Sequence, residues 1–91
     1  MHALIDYKKV AFVLNAFGNY YGNLTVFRDD DVYTMSIPEY SGFDPQPIPE
    51  YLFEALVKYA ESVRDAKYYR SGVQIFDLTT EDGREALERS Y

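Results

Sequence analysis

Carboxylate oxygen is the chemical resource this chain holds in quantity. Its 91 residues include 15 Asp and Glu, a single His and no Cys. A hydrolytic triad needs a base beside its nucleophile, and a structural zinc site needs Cys or His ligands. His2 is the only histidine, and at the very start of the chain it reads as a solvated residue with no task. Carboxylates remain as candidate acids, bases or ligands for hard cations, and Asp29-Asp30-Asp31 is the densest group. Neighbouring residues of an extended segment point to alternating sides, so three in a row do not converge on one ion. The spaced Asp/Asn ligands and closing Glu of a calcium loop are also missing. No catalytic residue, no metal site and no cofactor is expected, and the triplet reads first as a solvated turn.

One further spacing bears on chemistry. Asp65-Ala66-Lys67 is similar to the acid-x-Lys pattern of a large family of metal-dependent nucleases. In that family the pattern lies on a strand, with another acidic residue supplied from upstream. Here Asp44-Pro45 reverses the family's usual Pro-Asp order and the rest of the pattern is absent. A nuclease must also hold a polyanion, which the formal net charge of −6 opposes. Gly18 and Gly22 do not form a phosphate-binding loop, and they read as backbone relief between two elements.

Charge placement is the feature with some specificity. From Asp29 to Val57 there are seven acids and no Lys or Arg, while the remaining eight acids face nine bases. The whole net charge therefore comes from this one segment. It also carries Tyr33, Tyr40, Phe43 and Tyr51, so acids and aromatics are interleaved. Such a face suits a basic surface on another protein, of the kind that handles nucleic acid, because opposite potentials speed encounter and suppress wrong partners. The expected partner-binding residues are Asp29, Asp30, Asp31, Tyr33, Glu39, Tyr40, Asp44, Glu50, Tyr51 and Glu54. In size and charge the chain resembles small acidic phage inhibitors of restriction or CRISPR effectors, a resemblance of composition and not of motif. That resemblance implies a non-enzymatic protein that occupies a partner's nucleic-acid groove and blocks it. Duplex DNA presents about one charge per 1.7 Å, or roughly eighteen over a ~30 Å stretch. Seven carboxylates fall well short of that count, so shape and Tyr contacts must supply much of any affinity.

The same charge argues against direct binding to DNA or RNA, which calls for a basic footprint. The longest uninterrupted apolar run is Val10 to Leu14, far short of a membrane span. The first residues lack the basic region and apolar run of a secretory signal, so a cytoplasmic location is expected, in the host if the protein is phage-encoded.

These residues need elements to position them. Tyr7, Val10, Ala11, Leu14 and Phe17 fall at helical spacing, with Asp6 as a cap and Gly18-Asn19 as a stop, which predicts a helix over residues 6–17. Lys8 and Lys9 oppose the dipole of such a helix, and the run Val10 to Leu14 also fits a buried strand. Tyr21 to Arg28 and Val32 to Ile37 predict a β-hairpin with the Asp triplet at its tip. In its second strand Tyr33, Met35 and Ile37 mark the apolar face, and Pro38 ends it. A loop over residues 39–48 leads to a helix that opens at Pro49 and runs to about Arg64. Leu52, Leu56, Tyr59, Ala60 and Val63 form its buried stripe, widened by Phe53 and Val57. Residues 67–78 read as one strand or two, interrupted at Gly72. Thr79 and Asp82 predict a capping box for a short last helix anchored by Ala86, Leu87 and Tyr91 and weakened by Gly83.

The fold expected is a single α+β domain over residues 1–91: a small antiparallel sheet built on the hairpin, with helices on one face, in the order helix, strand, strand, helix, strand or strands, short helix. Hydrophobic residues at 47% suffice for its core, and ten Tyr are too many to be buried there together. This leaves a second functional reading from another class. A self-associating or accessory subunit, possible as a homodimer, would pair through an uncovered hairpin edge and a Tyr-rich surface.

Overall fold

The computed structural model describes residues 7–19, 22–37, 44–65 and 72–89. It has strands β1 (Lys9–Asn19), β2 (Gly22–Asp29), β3 (Val32–Ser36) and β4 (Gln46–Pro47), helix α1 (Glu50–Asp65), strand β5 (Val73–Asp77) and helix α2 (Glu81–Arg89). The strands form one antiparallel sheet in the order β4-β3-β2-β1-β5. This is the expected α+β class.

The first element differs from the expectation. Residues 9–19 are an interior strand of the sheet, flanked by β2 and β5, and no helix forms over residues 6–17 among those described. The burial shows why. Val10, Ala11, Phe12, Val13 and Leu14 are at most 6% exposed, five in succession. A helix on a surface buries one stripe, whereas a central strand with both faces covered buries every residue. The helical spacing of Tyr7, Val10, Ala11 and Leu14 was a by-product of an unbroken apolar run.

The hairpin forms as expected, with β2 paired to β3 from Thr25 opposite Ser36 to Asp29 opposite Val32. Its turn is Asp30-Asp31, and Asp30 takes a left-handed φ of 53°. Asp tolerates that region better than most residues because its short side chain can bond locally. Pro38 lies outside the described residues.

Alternation sorts the sheet's two faces. Phe12 and Leu14 of β1 and Leu24 and Val26 of β2 share a buried cluster with Phe53, Val57 and Ala60 of α1. Tyr33, Met35, Val73 and Ile75 pack against the same cluster, so α1 covers two residues of the predicted apolar face of β3, while the third, Ile37, lies past the strand's end and is 60% exposed. Phe53 is the central anchor: it is fully buried, with ring centroids 4.7 Å from Tyr33 and 6.1 Å from Phe12. Helix α1 matches the expected span to within a residue. Pro49 sits just before it, and its carbonyl accepts from the N–H groups of Leu52 and Phe53. The buried line runs through Phe53, Val57, Ala60 and Val63, with Leu52, Leu56 and Tyr59 half-buried beside it. The expected stripe is therefore rotated toward the two residues placed at its margin.

Helix α2 starts differently from the predicted capping box. Asp77 draws Thr79 away, accepting from both its N–H and its hydroxyl at 3.0 and 2.6 Å. The cap is Thr80, whose hydroxyl oxygen accepts from the Gly83 N–H at 2.9 Å while its carbonyl accepts from Arg84. Gly83 is there for closeness. A Cβ at this position would lie 1.8 Å from the Asp77 carbonyl oxygen, so only glycine lets the helix rest against the end of β5. Of the expected anchors, Leu87 is buried, Ala86 is half-buried and Tyr91 lies outside the described residues. Residues 66–71 also lie outside them, so of the predicted span 67–78 the strand described is β5.

Candidate partner-binding surface

The expected site divides between two places. The first is the β2–β3 tip. Register sets Lys9 of β1 directly opposite Asp29 of β2. The Lys9 ammonium donates to the carboxylates of both Asp29 and Asp30, the latter at 2.8 Å. The Asp30 N–H donates to the Lys8 carbonyl at 2.7 Å, and Arg28 Nε donates to the Asp30 carbonyl at 2.8 Å. The Arg28 guanidinium also lies 5.6 Å from the centre of the Tyr33 ring. The hydrogen bonds that Lys9 donates to Asp29 and then Asp30 raise it above its ordinary 10.5, and accepting from Lys9 lowers Asp30 below its ordinary 3.8. Formally, Lys8, Lys9 and Arg28 balance Asp29, Asp30 and Asp31. All these groups meet water, so the pairing is screened and tunes the local field more than it holds the fold.

The second place is the start of α1. Ile48 continues the β4 ladder by donating to the Tyr33 carbonyl, so the chain runs along β3 toward the hairpin tip before the helix begins. Glu50 therefore lies at the same end of the sheet as Asp31. Glu50, Tyr51 and Glu54 are exposed, and Tyr51 is 76% exposed, an unusual degree for so large a ring. No Lys or Arg occurs in the helix before Lys58. The exposed Glu50 also sits where the helix dipole favours an anion.

The remaining expected residues are scattered. Asp44 is exposed at the other end of the β3–β4 edge, about 20 Å from Asp31 by the strand rise. Tyr33 is half-buried against Phe53 and contributes to the core cluster. Glu39 and Tyr40 lie outside the described residues. So does most of the Asp65-Ala66-Lys67 spacing. The structure thus brings Glu50, Tyr51, Glu54 and Asp31 to one end and sets Asp44 apart.

Among the described residues no group of three or more His, Cys, Asp or Glu side chains is placed to hold a metal ion. Nor is any described helix long and apolar enough to cross a membrane. The sequence reading missed a shallow groove of about 570 Å³ on the sheet face away from α1, with Phe27, Val32 and Leu78 in its lining and Lys9 and Arg84 beside them. Its only sequence signal was the alternate set of strand positions, which is weakly apolar and includes Thr25, Thr34 and Ser36. No family model, no curated protein and no solved structure matches the chain.

Proposed function

We propose that this is a non-enzymatic interaction protein of the phage-inhibitor type, acting in the cytoplasm on a CRISPR or restriction effector or a similar nucleic-acid-handling protein. It blocks the partner by setting the start of α1 on a basic surface. The observation that carries the reading is Tyr51, 76% exposed between the exposed carboxylates of Glu50 and Glu54 with no base in the same two turns. Tyr is enriched among binding hot spots, and here the ring would supply area while the flanking carboxylates supply steering and register. Asp31 lies at the same end of the sheet, within a tip whose formal charges cancel. Asp29 and Asp30 add less, because Lys9 pairs with both and Lys8 and Arg28 lie beside them.

The test is a paired comparison. Wild type, Glu50→Lys/Glu54→Lys and Asp29→Lys/Asp30→Lys are each assayed for binding to a purified effector nuclease and for displacement of its nucleic acid, at low and high salt. The helix variant is expected to lose binding, the tip variant to lose less, and the wild-type complex to dissociate with salt. Equal binding by wild type and the helix variant would overturn the assignment of the surface. Binding that leaves nucleic acid in place would overturn the blocking mechanism.

A further inference from the structure

The two edges of the sheet are chemically opposite. In β4 the even residues face β3, as the Ile48 N–H bond to Tyr33 shows. The odd positions, whose N–H groups would point away from the sheet, are Pro45, Pro47 and Pro49. Proline has no N–H, so this edge offers no donor to a visiting strand. Both edges of the hairpin itself are covered, by β1 and β4, so the edge anticipated from the sequence is not open.

Strand β5 is different. The Leu78 N–H donates to Lys9, and the Gly72 carbonyl accepts from Asn15. By alternation the even residues 72, 74, 76 and 78 face β1, while Val73, Ile75 and Asp77 turn their backbone groups outward. The Asp77 carbonyl is taken by Thr80, whose N–H and hydroxyl both donate to it. Among the described residues no bond reaches the outward groups of Val73 and Ile75. The strand reads VQIFD, with no Pro, Lys or Arg to discourage pairing.

We infer that β5 is the site of self-association, pairing antiparallel with β5 of a second copy across a two-fold axis at Gln74. This inference is independent of the proposed α1 surface. In this register Val73 faces Ile75 of the partner and Ile75 faces Val73, an exchange of four N–H···O bonds. Those bonds use every free outward group of the two residues and need nothing from Asp77, where the Thr80 turn and Gly83 crowd the edge. A two-fold centred on Ile75 would need the occupied Asp77 carbonyl. No charge opposes a like charge, since Gln74 meets Gln74. The occupant is a second copy because the open stretch is complementary to itself. The contact is short and each copy carries −6, so the dimer is weak, depends on concentration and tightens with salt.

The test uses the absence of cysteine from the chain. Gln74 is exposed, and in a non-hydrogen-bonded antiparallel pair its Cα lies about 4.5 Å from its counterpart, within disulfide range. Gln74→Cys is expected to cross-link to dimer under mild oxidation at least tenfold faster than Gln46→Cys on the opposite edge. Val73→Pro, which removes an outward N–H and no bond to β1, is expected to abolish that cross-linking while the circular dichroism spectrum is unchanged. Sedimentation of wild type should show a dimer that grows with concentration and with salt. Equal cross-linking from positions 74 and 46, or a monomer at every concentration, would overturn the inference. Neither result would touch the α1 surface, whose test reads partner binding.

Discussion

Two acidic places lie at the same end of this sheet and differ in what surrounds them. The hairpin tip has three consecutive Asp, yet the start of β1 and the end of β2 bring Lys8, Lys9 and Arg28 alongside. The start of α1 has only Glu50 and Glu54, with Tyr51 exposed between them; Lys58 lies one turn beyond Glu54, and no base precedes it in the helix. Density of charge in sequence is therefore a poor guide to potential at a surface. What counts is which charges the fold leaves without a neighbour of opposite sign.

The largest test of this contrast concerns how α1 is held. Phe53 seats the helix on β1 and β3, so Phe53→Ala is expected to cost about 3–5 kcal/mol, read from the urea midpoint. Against the roughly 5–15 kcal/mol of a typical domain, that is a large share. A cost below about 1 kcal/mol would mean that α1 is not fixed on the sheet, and Glu50, Tyr51 and Glu54 would have no defined place. Next in size is charge reversal. Glu50→Lys/Glu54→Lys is expected to slow association with a basic partner by about tenfold or more at low salt, with a modest loss of thermal stability from the reversed helix-end charge and the new repulsion between position 54 and Lys58. Stopped-flow or surface-binding rates at two ionic strengths measure it.

Lys9→Ala sharpens the comparison from the other side. It releases Asp29 and Asp30, turning the neutral tip into an acidic one, and should speed association severalfold while lowering stability slightly. If the association rate does not change, the tip lies outside the contact. The smallest effect is on pH dependence. Asp30 is lowered by its bond to Lys9, and Asp77 by the Thr79 hydroxyl and then the Thr79 N–H. A carboxylate lowered in the folded state stabilises fully above its unfolded value near 3.8, and that contribution disappears as pH falls through the folded value. Lys9 works in the opposite sense, stabilising below 10.5 and losing the effect as pH rises through its higher folded value. The thermal midpoint is expected to drop faster below pH 4 in wild type than in Asp77→Asn.

Local chemistry made much of this fold legible. The hairpin could be read from two β-rich runs about a polar triplet, and α1 from the 3.6-residue recurrence of Leu, Val and Ala after a proline. Those signals arise within a few residues of the structure they specify. Where reading failed, the deciding contact was distant for β1 and, for α2, a local competition between neighbouring groups that spacing alone does not rank. The run Val10 to Leu14 suits a buried helix or a buried strand equally, and only the flanking β2 and β5 decide between them. Thr80 became the cap because Asp77 captured Thr79, and Gly83 was needed because a strand end lies against it.

By itself, then, the sequence determined the α+β class, the hairpin, the long helix, and the concentration of acids between Asp29 and Val57. Only the tertiary structure decided which of those acids stay uncompensated. The decisive pairing, Lys9 with Asp29, joins residues twenty apart, and it exists because β1 is a strand in register with β2. Which edge stays open was settled the same way, since a strand's outward N–H groups are defined only once its inner neighbour and register are known.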